Sequence, residues 1–168
     1  MGRDQLTLGN LVDELKDGIA LLLEVLKPMS AMVLVYSAVD ILGALDSADG
    51  AATRETFVDW ANRYMDPRDA LGCSGLDLYS ARCGLLHNWS PSTRLTKAGT
   101  AREIIYILDR PLSKPQSTSS GPVIIHPPWL WLSFRDGSSR FIEEVTNDEA
   151  RFLRVTKNLE GVYVERTH

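Results

Sequence analysis

Two side chains able to act on a phosphodiester stand five positions apart in the stretch LYSARCGLLHN, residues 78–88: Arg82 and His87. A guanidinium keeps its charge and its planar fork matches phosphate oxygens, so Arg82 suits the stabilisation of charge building on phosphorus. An imidazole titrates near neutrality, so His87 suits the movement of a proton to or from a hydroxyl. Around the pair lie Leu78, Tyr79, Cys83, Leu85 and Leu86, the residue types of a buried helix face. A plain core helix would carry no cation there.

Five helical positions turn by about 500°, leaving the two side chains about 140° apart and about 7.5 Å apart along the axis. Convergence on one small target therefore needs long side-chain reach, a helix end near His87, or a second copy meeting the first across a two-fold axis. Ser80, Ala81, Cys83 and Gly84 are all small, and Gly84 costs about 1 kcal/mol of helix propensity against alanine. Either they let a partner helix come close, or Gly84 admits a bulky neighbour from its own bundle. Three residues are candidates to support the pair: Asp77 and Tyr79, which contact a substrate or hold Arg82, and Asp40. The last sits one turn after Tyr36 inside an apolar helix, where a carboxylate needs a partner such as a tyrosine hydroxyl or Arg82. A purely structural alternative pairs Arg82 with Asp77 or another carboxylate of the bundle and leaves His87 at the helix C-terminus, where a cation gains about 0.3–1 kcal/mol.

The elements that must position these groups are read from periodicity. Leu11, Leu15, Ile19, Leu22 and Leu26 predict an amphipathic helix over 5–27, stopped by Pro28. Ser30–Leu45 is apolar nearly all round and reads as a buried bundle helix. Phe57, Trp60 and Tyr64 share a face of a third helix running from Thr53 or Arg54 to Met65. Ser74 caps a fourth, which carries Arg82 and ends near His87. Residues 90–100 read as a polar loop. The runs REIIYIL and VIIH read as two strands able to form a hairpin, with the Ser- and Pro-rich stretch 113–121 between them the most mobile piece. From Pro128 a helix with Leu130, Phe134, Phe141 and Val145 on one face is followed by another with Phe152, Val155, Leu159 and Val162 inward. Of Trp129 and Trp131, one lies outside the core on this reading. His126 reads as a turn residue.

One domain over 1–168 is expected, mainly α, with a four-helix core at 1–90, a hairpin and linker at 101–126, and two C-terminal helices at 128–164. Composition is that of a globular protein, with 44% hydrophobic and 24% charged residues. Net charge is −4, and residues 1–50 hold three basic against eight acidic side chains. That balance excludes a broad electrostatic grip on nucleic acid and leaves room only for local contact. Cys73 and Cys83 lack a second Cys/His pair at metal spacing, so reduced thiols and no metal are expected. The longest apolar stretch, Ala31–Leu45, is interrupted by Asp40 and reads as too short to span a bilayer, so no membrane contact and a cytoplasmic location are expected.

Arginine, four residues and histidine near the end of a buried helix, in a helical bundle of this size, resembles the motif of HEPN domains. The frame DLYSARCGLLH, running on through a loop to IIYIL, is similar to a group of uncharacterised bacterial HEPN-like proteins. The resemblance implies a HEPN-like helical bundle with a small β-hairpin between the fourth and fifth helices. It further implies a homodimer with a metal-independent RNA-cleaving site at the interface, in the manner of a toxin-type endoribonuclease. Arg82 would hold the phosphate and His87 would move the proton, leaving a 2′,3′-cyclic phosphate and a 5′-hydroxyl. No cofactor is implied; RNA, a cognate antitoxin or a nucleotidyltransferase are the partners implied. Two alternatives stay open: a catalytically silent HEPN-like homodimer serving interaction or assembly, and an unrelated bundle whose arginine closes an internal ion pair.

Overall fold

The computed structural model describes residues 7–87, 89–108, 114–117 and 121–160. Helix α1 (Leu8–Glu24) starts where the Thr7 hydroxyl accepts from the Asn10 N–H, and it buries Val12, Leu15 and Ile19 at three- and four-residue steps. It ends at Glu24, short of the expected 27, and Leu26, expected on the apolar stripe, takes the left-handed conformation at φ 57° in the short link and is 74% exposed. Proline then opens α2 (Pro28–Asp46), whose missing N–H is one the first turn would leave unpaired anyway.

Helix α2 is the axle of the bundle. It buries Ala31, Met32, Val35, Tyr36, Val39, Leu42 and Leu45 on several faces, because α1, α3, α7 and α8 all pack on it. Its 19 residues, with mean hydropathy 1.6, meet the length and composition of a membrane span, contrary to the expectation drawn from the shorter stretch. Half of that window is buried among its neighbours, which is the pattern of a core helix. Where α2 meets α3 (Arg54–Trp60), a Cβ on Gly43 would lie 2.7 Å from the Thr56 carbonyl oxygen, so only glycine allows the approach.

The third predicted helix is present but changes pitch. A reciprocal Thr53–Thr56 cap starts α3, and Ala61–Met65 continue it as a wider π-type turn before Asp66 turns left-handed at φ 48°. A short α4 (Pro67–Leu71) follows. Helix α5 (Gly75–His87) carries the motif and begins as predicted: the Ser74 hydroxyl accepts from the Asp77 N–H at 3.1 Å, while Asp77 accepts from the Ser74 N–H at 2.8 Å.

Within 90–100, read as a loop, Thr93 and Thr96 cap each other across the single turn of α6 (Arg94–Lys97). The predicted hairpin is corrected. Strands β1 (Ile104–Tyr106) and β3 (Val123–Ile125) pair in parallel, Ile104 opposite Val123, and β2 (Gln116–Ser117) joins β3 from the other side in antiparallel register. A parallel pair needs a crossover, and the chain between the two strands is long enough to supply one and still contribute β2. The predicted mobile stretch 113–121 lies partly outside the described residues.

Helix α7 (Pro127–Thr146) buries Leu130, Phe134, Phe141 and Val145 as expected, with His126 buried at its N-cap. Trp129 and Trp131 are both half-buried against the core. In α8 (Glu149–Glu160) the inward stripe is Arg151, Val155 and Leu159. Phe152, predicted inward, is 44% exposed, and Val162 lies outside the described residues. The reason is electrostatic: Arg151 reaches Asp46 of α2, Glu144 of α7 and the Tyr64 hydroxyl, and one position along a helix turns the next side chain about 100° away. The whole is mainly helical, with one core.

Candidate functional site

Arg82 leaves the middle of α5 and crosses to α2, where its Nε donates to Asp40 Oδ2 at 2.8 Å. Both side chains are largely shielded, 23% and 16% exposed. Burial works against the guanidinium charge, but the Asp40 carboxylate more than offsets it and holds the Arg82 pKa above its usual value. The other end of the fork turns toward His87: Nη1 lies 3.5 Å from Nε2 of the imidazole. The two groups that point apart on an ideal helix therefore meet within one chain. His87 is the last residue of α5, where the helix no longer constrains it from the far side, and the arginine stem spans the rest.

Tyr79, Cys83 and His87 follow at steps of four and form one stripe of α5. That stripe makes one wall of a cleft of about 700 Å³. Arg54 and Glu55 of α3 stand along it, and Thr93, Arg94 and Leu95 close it from the α6 side. A second hollow of about 490 Å³ shares Arg54, Glu55 and Leu95 with it and is lined further by Val58, Asp59 and Leu76. Arg82 stands beside the imidazole, behind this wall, with its carbon Cζ 6.0 Å from the centre of the Tyr79 ring. Burial, and then the neighbouring Cys83, raise the Tyr79 pKa, which keeps its hydroxyl protonated.

Of the three supporting candidates, the structure brings Asp40 and Tyr79 to the pair and leaves Asp77 out. Asp77 lies about 15 Å back along α5 from His87 and is 4% exposed. Besides capping the helix, it accepts from the Arg102 backbone N–H at 2.7 Å and meets the Arg102 guanidinium at 3.2 Å. Burial alone would raise its pKa; the backbone donors of Arg102 and Ser74 reverse this and hold it below the ordinary carboxylate value. A separate hollow of about 470 Å³ opens over this end of α5; of its charged lining residues Asp77 and Arg102 pair with each other, and the third is Arg68. Tyr36, the other possible partner of Asp40, bonds the Tyr106 hydroxyl instead.

Of the two readings of Gly84, the structure bears out the one in which it admits a neighbour from its own chain. A Cβ there would lie 2.1 Å from the Ser90 carbonyl oxygen, and Ser80 bonds Thr93 through their hydroxyls at 2.5 Å. Gly84 and Ser80 are thus covered by their own chain, residues 90–93, which return along α5 and pin α6 in place. The sequence reading missed Arg54, Arg94 and Leu95. The Thr93–Thr96 spacing was the available signal that residues 93–97 form a fixed wall and not a free loop. Among the described residues no cluster of three or more His, Cys, Asp or Glu is placed to hold a metal ion. Compared with protein-family models, curated proteins and solved structures, the chain matches none.

Proposed function

We propose that this chain is a HEPN-like, metal-independent RNA-cleaving protein acting as a homodimer, in the manner of a toxin-type endoribonuclease, with Arg82 and His87 as its catalytic residues. The observation that carries the reading is the 3.5 Å approach of the Arg82 guanidinium to an exposed imidazole at the mouth of a cleft. In the reaction the ribose 2′-oxygen bonds to the adjacent phosphorus and the P–O5′ bond breaks. One proton leaves the 2′-hydroxyl and one is delivered to the departing 5′-oxygen. No water or redox partner is consumed, and the products are a 2′,3′-cyclic phosphate and a 5′-hydroxyl. His87 exchanges one of these protons; a second copy across a two-fold axis supplies a second imidazole for the other. Arg82, fixed by Asp40, stabilises the charge gathering on the phosphoryl oxygens without reorganising. A cytoplasmic location and a cognate antitoxin or nucleotidyltransferase partner belong to the same reading.

The 2.8 Å pair with Asp40 favours a second reading. A guanidinium already matched by a carboxylate also serves a catalytically silent HEPN-like dimer, in which Arg82 ties α5 to α2. Incubation of the purified protein with tRNA or total RNA in EDTA separates the two. The first reading predicts fragments carrying cyclic phosphate and 5′-hydroxyl ends; intact RNA favours the second.

A further inference from the structure

The side of α5 turned away from the cleft borders a second feature. Ala81 and Leu85 are each two positions, about 200°, from Cys83, and they line a hollow of about 210 Å³ with Met29, Trp89 and Pro91. All three residues of β1 line it too. Side chains of a strand alternate between its faces, so a hollow touched by Ile104, Ile105 and Tyr106 alike runs along the strand's edge. That edge is unpaired. β1 is an outer strand of the sheet and meets β3 through the Glu103 carbonyl and the Ile107 N–H. Every second residue turns its main-chain groups to the same neighbour, so those of Ile104 and Tyr106 point away from β3, and no hydrogen bond takes them up among the described residues. Trp89, 67% exposed, and Ile105, 40% exposed, present apolar surface beside them. Trp89 does so from left-handed backbone at φ 50°, as does Leu26, three positions before Met29. Strain of this kind at bulky residues gathers at binding surfaces.

We propose that the free edge of β1 takes an extended segment of a partner protein as an added strand, with one large uncharged side chain of that segment seated in the hollow. Three observations choose this occupant. Main-chain donors and acceptors left open two residues apart match the repeat of another strand, which supplies the affinity. None of the residues lining the hollow is charged, so it complements an apolar side chain and would leave a charged one without a partner. Its volume is below the roughly 300–1,000 Å³ of small-molecule sites and suits a single anchoring side chain. The inference does not depend on the reading of Arg82 and His87, because the hollow and the cleft lie on opposite sides of α5.

The probes are capped, fluorescein-labelled octapeptides alternating threonine and valine, with leucine, phenylalanine, tryptophan or lysine at the centre, titrated into the full chain by anisotropy. At least one apolar centre is expected to bind about tenfold more tightly than lysine. Methylating alternate main-chain nitrogens of that peptide, which removes the donors a ladder needs, is expected to weaken it at least about tenfold. In amide hydrogen exchange followed by NMR, the peptide should slow Ile104 and Tyr106. Ile105→Lys, which places a charge on the edge, should weaken binding severalfold. Trp89→Gly should do the same while leaving the fold intact, because glycine takes left-handed backbone without strain. Absence of binding by every apolar-centred probe overturns the inference, as does equal binding of the methylated peptide, or bound peptide that leaves the exchange of Ile104 and Tyr106 unchanged. Amides of Ile104 and Tyr106 already protected without peptide, in a species of twice the chain mass by light scattering, overturn it in favour of a second copy at the same edge.

Discussion

At the scale of the residue, the site is a relay of three side chains from two helices: Asp40 holds Arg82, and Arg82 reaches His87. Asp40→Asn keeps a hydrogen-bonding atom and removes the charge that fixes the guanidinium. RNA cleavage is expected to fall about tenfold through lost orientation, while thermal unfolding moves little; unchanged kinetics would make Asp40 a packing partner only. Asp77 acts elsewhere. Its lowered pKa means that it contributes stability above the ordinary carboxylate range, near pH 4, and that this contribution drains away as pH falls toward the lowered value. Asp77→Asn should therefore cost about 1–2 kcal/mol at neutral pH, with the gap to the unaltered protein closing in acid, as read by urea denaturation across pH. The Arg82–His87 spacing was legible because the two residue types were wrong for a plain core. Asp40 was legible as a buried charge in need of a partner. The role of Asp77 was not, because its second partner, Arg102, comes from a turn far along the chain that no periodicity announces.

At the scale of the element, helices whose apolar residues repeat at three and four were readable as elements but not to their last turn, and the failures have physical causes. Strand pairing is non-local, so two apolar runs told that strands exist but not that a crossover makes them parallel. In α8 the core accepts an arginine in place of a phenylalanine because Asp46, Glu144 and Tyr64 converge there from three other elements. Arg151→Ala should thus cost about 3 kcal/mol by removing the close partner of Asp46, which keeps only Arg154 at 3.4 Å, whereas Phe152→Ala, at an exposed position, should stay within about 0.5 kcal/mol. Denaturant midpoints of the two variants give the comparison; the reverse order would contradict the assigned face. Gly84→Ala tests the other local device. A methyl group 2.1 Å from the Ser90 carbonyl forces the 90–93 segment off α5, so a loss of about 1–3 kcal/mol is expected.

At the scale of the molecule, one apolar helix is wrapped by the others, and charges brought into the interior are paired: Arg82 with Asp40, Arg151 with Asp46 and Asp77 with Arg102. The sequence reading took the apolar stretch of α2 as too short for a bilayer; the full helix of 19 residues reaches that length, and the helices packed on it bury half of its apolar window. The cleft between α3, α5 and α6 was invisible in the sequence because its walls come from three separate segments, one of which read as a loop. The motif end of that cleft carries the proposed activity. The most direct test compares cleavage of total RNA in EDTA by the unaltered protein, His87→Ala and Arg82→Ala, with circular dichroism confirming that all three are folded. The account predicts cleavage by the unaltered protein and its reduction by at least about a hundredfold in each variant; folded variants that cleave as fast as the unaltered protein would contradict it.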